Sequence, residues 1–194
     1  MDRQYLKRKF LREAVVTDIK KGFIAAPFVN RERDPRSQLM AAKLIARHFR
    51  NVHPDKIVAI PMQGIPLASN VANFFKEAKE IIGFKEDVPR PYWSNSVVVK
   101  VESFTTEKEK TIIIPYVSAG DRVLLIDDVC ATGNCSLSII RKMRELGAEV
   151  VGFGVWVDKV FQGGSKKLLK EGVDFYSVLK VEKITPQGKI ILSD

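Results

Sequence analysis

Two adjacent carboxylates and the short loop after them are the most distinctive chemical feature of the sequence. Asp127 and Asp128 follow the compact apolar run 122–126, and a loop at 129–133 leads from them into a stretch with helical apolar periodicity. The pattern predicts a buried strand, a loop and a helix in succession. Ligands bind beyond the carboxyl ends of strands in open α/β sheets, so we expect a binding site here.

The loop suits a phosphate group. The helix is predicted to begin near Asn134 or Cys135, and a helix N-terminus offers unpaired backbone N–H groups and a positive dipole end to an anion. Thr132 and Ser136 add candidate hydroxyl donors, and Gly133 lets the backbone approach its ligand closely.

The carboxylates suit a different group, because two negative charges repel a phosphate. Ionised carboxylates make charge-assisted hydrogen bonds to sugar hydroxyls. A phosphate at one end of the motif and a diol at the other describe a ribose 5-phosphate. The alternative, an acidic loop that merely caps a helix, is disfavoured by the length of the motif, which spans residues 123–135.

The elements that must position this motif indicate an α/β fold with a mostly parallel central sheet flanked by helices. Apolar runs without period-two alternation are typical of parallel strands that are buried on both faces. The first predicted elements are a helix that begins at Asp34 and Pro35, a strand at 56–60, a helix from Gly64 to about Ala78 and a strand at 80–84. A loop at 86–96 and β-rich segments at 97–101 and 111–114 around a turn at 107–110 follow. The last predicted elements are a strand at 122–126, a helix that ends near Gly147 and a strand at 150–157.

The whole chain, residues 1–194, is predicted to be a single domain. Residues from about 36 to 157 form its core. The first 30 residues and the last 35 or so fit the strand–helix pattern less well. We therefore expect residues from about 1 to 35, together with parts of 158–194, to form a small cap over the core, which we call the hood.

Composition bounds the class of protein. Hydrophobic residues make up 45% and charged residues 28%, as in soluble globular proteins. No apolar run approaches the roughly 18 residues needed to span a membrane. The basic N-terminus lacks the apolar core of a secretory signal, so we expect a cytoplasmic protein. Cys130 and Cys135 are predicted to be structural thiols, because a zinc site or disulfide framework needs more cysteines.

The net charge of +9 fits either a nucleic acid or a polyanionic small substrate. Lysine and arginine are spread along the chain, and only 20–30 residues precede the first core helix, which is too few for an added DNA-binding domain. Nucleic-acid binding is therefore not favoured. RNA binding through a basic face stays an alternative.

The motif at 123–135 resembles the signature of type I phosphoribosyltransferases, in which two acidic residues and a loop bind 5-phosphoribosyl 1-diphosphate (PRPP). The chain as a whole is most similar to the xanthine phosphoribosyltransferases of bacteria, within the adenine/xanthine branch. The segments that carry this similarity are 28–35, 63–66, 103–105 and 158–163.

The resemblance implies roles for individual residues. It assigns the 5′-phosphate to Ala131, Thr132, Gly133, Asn134 and Cys135, the pyrophosphate to the loop of Gln63 and Gly64 and to Lys85, and the base to Lys159, Asn30, Phe23 and Phe161. Backbone N–H groups act in the pyrophosphate loop, so the side chain of Gln63 is expected to matter less than Gly64.

The implied reaction is attack of a purine N9 on C1 of PRPP with release of pyrophosphate. Asp127 and Asp128 would hold the ribose diol, and Asp128 would assist proton transfer or orient the base. Mg²⁺ would bridge the diphosphate and the ribose hydroxyls, with the two carboxylates as candidate ligands. A segment at 86–106 would close over the site. The resemblance also implies a homodimer.

The base is less well defined by sequence. A lysine ammonium is a donor without acceptors, so Lys159 favours a 6-oxopurine over adenine. Asn30 can donate or accept a hydrogen bond, so it does not distinguish xanthine from guanine. Xanthine, guanine and hypoxanthine therefore all stay open. The chain lacks the family's basic cluster around Lys85, and its Ala-Thr-Gly loop is nearer to the adenine branch. Adenine phosphoribosyltransferase is therefore one alternative, and a non-catalytic PRPP-sensing regulator that binds nucleic acid is an alternative of another class.

Overall fold

The structure is a computed structural model that describes residues 2–86, 89–102 and 109–193. Its helices are α1 (Asp2–Glu13), α2 (Pro27–Asn30), α3 (Pro35–His48), α4 (Ile65–Ala72), α5 (Asn134–Glu145) and α6 (Gly164–Lys170), with a 3₁₀ turn at Val160–Gln162. Its strands are β1 (Val15–Asp18), β2 (Phe23–Ala25), β3 (Lys56–Ala59), β4 (Lys79–Ile82), β5 (Val97–Glu102), β6 (Glu109–Ile114), β7 (Arg122–Cys130), β8 (Glu149–Lys159), β9 (Phe175–Ile184) and β10 (Ile190–Leu192).

A six-stranded sheet in the order β10-β9-β8-β7-β3-β4 forms the framework. All neighbours in it are parallel except β9 and β10, which form an antiparallel edge. The predicted α/β fold with a mostly parallel central sheet is confirmed. Two hairpins, β1–β2 and β5–β6, lie outside this sheet as separate antiparallel pairs.

The apolar run of β7 places a buried strand in the middle of the sheet. Leu124 and Ile126 belong to the core cluster that contains side chains of α1, α3 and α4, whereas Val123 and Leu125 belong to the cluster that contains α5. Helices thus cover both faces, which explains why the run shows no alternation of polar and apolar residues.

Helix α3 begins as predicted. The side chain of Asp34 accepts hydrogen bonds from the Arg36 N–H at 3.1 Å and the Ser37 hydroxyl at 2.6 Å, and Pro35 occupies the first turn. No helix among the described residues is long and apolar enough to cross a membrane.

Helix α4 ends at Ala72, before the predicted end near Ala78. The N–H groups of Phe74 and Phe75 instead bond the carbonyl groups three residues before them, which makes turns. Phe75 and Ala78 still pack against the core, so the apolar pattern continued past the helix and extended the prediction.

The C-terminal residues were expected to fit the strand–helix pattern poorly, and that expectation is wrong for part of them. Residues 175–184 pair parallel with β8, and residues 190–192 extend the same sheet. Strands β7 and β8 also run further than predicted, because Cys130 still pairs with Asp158. The division of the single domain into core and hood stays a prediction.

Candidate active site

The carboxylate pair lies within β7 rather than after its end, since the strand continues to Cys130. Asp127 Oδ1 accepts the backbone N–H of Asp128 at 2.8 Å. Asp128 Oδ2 accepts a hydrogen bond of 2.5 Å from the side-chain amide of Asn30, a residue at the end of α2. The structure thus joins one predicted base residue directly to one predicted ribose residue.

Two lysines act electrostatically on the carboxylate pair. Burial first, and then the charge of Asp128, raise the pKa of Asp127 well above its usual value, while Lys85 opposes the shift. Burial lowers the pKa of Lys159, and Asp128 acts in the opposite direction. The cations predicted for the pyrophosphate and for the base therefore lie within electrostatic reach of the same two carboxylates.

The loop before α5 has the geometry of an anion site. Helix α5 begins at Asn134 as predicted, and no side chain among the described residues caps its first turn. Gly133 has a left-handed backbone with φ of 74°, and a Cβ there would lie 2.9 Å from Gly164 Cα. The N–H of Gly164 also bonds the Ala131 carbonyl at 3.0 Å, which fixes the loop against the start of α6.

Ser136 does not serve as the predicted hydroxyl donor to a ligand. It is buried, and its hydroxyl donates to the Gly133 carbonyl at 3.1 Å, which stabilises the loop from within. Asn134, in contrast, is exposed, and its side-chain oxygen accepts from Lys167 at 2.9 Å. Lys167 thereby places a further positive charge beside the first turn of α5.

The two cysteines keep their protons. Burial raises the pKa of Cys135 to about 12 and raises that of Cys130 as well. Neither thiol is therefore a thiolate at neutral pH. Among the described residues, no group of three or more histidines, cysteines and carboxylates is placed to hold a metal ion.

The loop of Gln63 and Gly64, which is predicted to bind the pyrophosphate and which we call the pyrophosphate loop, passes close to β7. A Cβ at Gly64 would lie 2.8 Å from the Ile126 carbonyl oxygen and 2.9 Å from Asp127 Cα, so only glycine allows this approach. The side chain of Gln63 makes two contacts that the sequence did not indicate. With its amide oriented to satisfy both neighbours, it donates to the Asn30 carbonyl at 2.7 Å and accepts from Arg31 at 2.9 Å.

Three of the four predicted base residues, all except Asn30, meet at the β1–β2 hairpin. Lys159 is 7% exposed, its Nζ donates to the Gly22 carbonyl at 2.8 Å, and it lies 5.9 Å from the centroid of the Phe23 ring. Phe161 is 40% exposed and packs against Gly22, where a Cβ would meet its ring at 2.7 Å. The Gln162 amide donates to the Lys21 carbonyl at 3.0 Å and completes the attachment of the hairpin.

Some residues of this arrangement were not found from sequence. Gly164 supports the loop of residues 131–133, which we call the phosphate loop after its predicted ligand. Gln162 and Gly22 fix the hairpin, and none of the three carries a group typical of catalysis. The adjacent pair Gly163 and Gly164 was the available signal for a close backbone contact. Of the predicted closing segment at 86–106, residues 87–88 and 103–106 lie outside the described residues.

The chain is similar in sequence to known proteins. Residues 32–185 match the sequence profile of the family described as Phosphoribosyl transferase domain. A xanthine phosphoribosyltransferase of Bifidobacterium adolescentis is 36% identical over 148 residues, which cover 75% of this chain and 76% of that protein. Xanthine phosphoribosyltransferase 2 of Clostridium botulinum is 31% identical over 183 residues, which cover 92% of this chain and 94% of that protein.

Solved structures share the fold. The crystal structure of an adenine phosphoribosyltransferase from Rhodothermus marinus matches with a TM-score of 0.73 at 22% identity, over 93% of this chain and 98% of that chain. The family match over 32–185 and the identity to xanthine phosphoribosyltransferases show that the chain belongs to the type I phosphoribosyltransferase family. It is a PRPP-dependent phosphoribosyltransferase.

Proposed function

We propose that the protein transfers the 5-phosphoribosyl group of PRPP to a 6-oxopurine, xanthine first and guanine or hypoxanthine next. The products are the nucleoside 5′-monophosphate and pyrophosphate. The observation that carries this proposal is the buried ammonium of Lys159 beside the ring of Phe23 and within reach of the charge of Asp128. The similarity to xanthine phosphoribosyltransferases supports the same choice.

A buried ammonium discriminates strongly between purines. It carries donors and no acceptor, so it pairs with a 6-oxo group and meets the 6-amino group of adenine donor to donor. A site built for one partner rejects an analogue that leaves a buried polar group unpaired. Because Lys159 is buried, water would not replace the hydrogen bond that its ammonium lacks when the 6-amino group of adenine faces it.

The remaining residues bind and stabilise the sugar phosphate. The N–H groups at the start of α5 and the loop of residues 131–133 would hold the 5′-phosphate, and Asp127 and Asp128 would hold the ribose hydroxyls. Asp128, fixed by Asn30, would orient the base or accept its proton. Catalysis then needs stabilisation of charge more than a strong nucleophile, because negative charge develops on the leaving diphosphate. Lys85 would supply positive charge there.

Mg²⁺ fits this site as an ion held largely by the substrate. Asp127 and Asp128 provide the hard oxygen ligands that Mg²⁺ prefers, and the described residues offer no larger ligand cluster. Asp127 and Asp128 would hold the ion together with the bound substrate. When bound, Mg²⁺ would neutralise charge on the diphosphate. A homodimer stays a prediction.

The test is a turnover assay with five acceptors. Protein, Mg²⁺ and PRPP are mixed separately with adenine, hypoxanthine, guanine, xanthine and orotate, and released pyrophosphate is measured. We expect release with the 6-oxopurines and none with orotate. Release with adenine alone would contradict the proposal, and binding of PRPP without consumption would support the sensing alternative.

Asp128→Asn is expected to slow release with every purine, and a wild-type rate in this variant would refute the role of Asp128.

A further inference from the structure

Three chain segments meet in a line of hydrogen bonds that crosses the site. Gln63, in the pyrophosphate loop, donates to the main-chain carbonyl of Asn30 at 2.7 Å. The side chain of the same Asn30 donates to Asp128 at 2.5 Å. The loop predicted to meet the diphosphate is thus joined, through one residue, to the carboxylate predicted to meet the ribose and the base.

Asn30 depends on such contacts for its position. It ends α2, which has four residues and is far too short to be stable by itself. The last carbonyl groups of this helix are satisfied by glutamine side chains. Gln38, which is buried, donates to the carbonyls of Phe28 and Val29 at 3.3 and 2.6 Å, and Gln63 donates to that of Asn30. The anchor nearest the site therefore comes from a substrate-binding loop and not from the core.

We propose that Gln63 is a positioning residue for the purine, through which binding of the base depends on the arrangement of the pyrophosphate loop. Gln63 sets the main chain of Asn30, and the Asn30 amide is thereby directed at Asp128. Diphosphate contacts in the loop use backbone N–H groups, so loss of the Gln63 side chain should affect the purine more than PRPP. This inference rests on the proposed function and extends it.

Two substitutions separate the contact with Asn30 from the contact with Arg31. Gln63→Glu keeps an acceptor for Arg31 but loses the donor and turns a carboxylate towards the Asn30 carbonyl. Gln63→Met removes both hydrogen bonds at similar side-chain length. Gln187→Met is the matched control, because Gln187 is exposed in the turn between β9 and β10.

The experiment measures KM for PRPP, KM for hypoxanthine and kcat, together with Tm, in all four proteins. We expect both Gln63 variants to raise the KM for hypoxanthine about ten-fold, the order expected for one lost hydrogen bond. The KM for PRPP should change less than about two-fold. Gln187→Met should match the wild type in every value, and the Gln63 variants should keep a Tm close to it.

Other outcomes overturn the inference. A Gln63→Glu variant with wild-type KM for hypoxanthine would show that the bond to Asn30 is without effect. A rise in the KM for PRPP alone would make Gln63 simply a residue of the pyrophosphate loop. Both results require turnover by the wild type. An inactive wild type would instead contradict the proposed function, so the two failures are distinguishable.

Discussion

The amide of Asn30 donates a hydrogen bond to the carboxylate of Asp128, although the two residues lie 98 positions apart in the chain. A carboxylate only accepts hydrogen bonds, so the contact fixes which end of the amide faces Asp128. The end of α2 thus contacts the carboxylate that is predicted to bind the ribose and to orient the base.

Asn30→Asp tests this contact most directly. Two carboxylates would then face each other at hydrogen-bond distance, and their repulsion should displace Asp128. We expect kcat/KM for hypoxanthine to fall about 100-fold, which corresponds to roughly 3 kcal/mol of transition-state stabilisation. Asn30→Ala removes the bond without adding charge and should cost about ten-fold. A kcat/KM in Asn30→Asp no lower than in Asn30→Ala would contradict the repulsion, and a wild-type kcat/KM in Asn30→Ala would contradict a role for the contact.

Lys159→Met should change which base the enzyme uses. Loss of the buried donor removes the partner of a 6-oxo group, so the ratio of kcat/KM for hypoxanthine to that for adenine should fall at least about 100-fold. Gln162→Met is the matched control, because it also removes a hydrogen bond to the β1–β2 hairpin. Both variants should lose about 1 kcal/mol of stability, measured by urea unfolding. A similar change of ratio in the control would assign the effect to the hairpin and not to Lys159.

Gly133→Ala should weaken binding of PRPP. Its backbone has φ of 74°, and a Cβ would lie 2.9 Å from Gly164 Cα, so the phosphate loop must shift. Gly120→Ala is the control, because Gly120 has φ of 84° with nothing within 4 Å of a Cβ. Each substitution costs about 1–2 kcal/mol for the left-handed conformation, and Gly133→Ala should also raise the KM for PRPP at least about ten-fold. An unchanged KM in Gly133→Ala would mean that the loop does not hold the phosphate.

The sequence predicted the strand, loop and helix around Asp127 and the sheet well, because both depend on local patterns. The apolar run before Asp127 and the small residues before Asn134 lie within one short stretch, and that stretch specifies strand, turn and helix together. The end of α4 was harder to predict, since Phe75 and Ala78 are apolar for packing and continue the helical pattern outside the helix. The apolar pattern at Phe75 and Ala78 therefore reflects burial of these side chains and not a helical backbone.

Contacts between segments that lie far apart in the chain could not be predicted from the sequence. The bond of Gln63 to the main chain of Asn30 leaves no trace in composition or spacing, because any donor of the right length would serve. The clamp of Lys159 on Gly22 likewise depends on how the hairpin folds back over the end of β8. Such pairings follow from tertiary packing, so the contact of the Gln63 side chain with Asn30 becomes visible only in the structure.

Asp127→Asn should stabilise the protein at neutral pH while it lowers activity. The pKa of Asp127 is raised in the folded state by burial and by Asp128. The native state therefore binds this proton more tightly than the unfolded state, in which the pKa is about 3.9. Protonated Asp127 therefore stabilises the protein fully at a pH below its pKa in the unfolded state. This stabilisation is lost as the pH rises through the pKa of Asp127 in the folded state.

The asparagine avoids this loss, because it is neutral at every pH and its side-chain oxygen can still accept the Asp128 N–H. The Tm of Asp127→Asn should exceed that of the wild type at pH 7 to 8, and the difference should shrink as the pH falls towards about 4. Glu77→Gln, at an exposed position in the turn after α4, removes a carboxylate away from the pair and is the control. A Tm difference for Asp127→Asn that is the same at every pH would show that Asp127 ionises normally, and the raised pKa would be refuted.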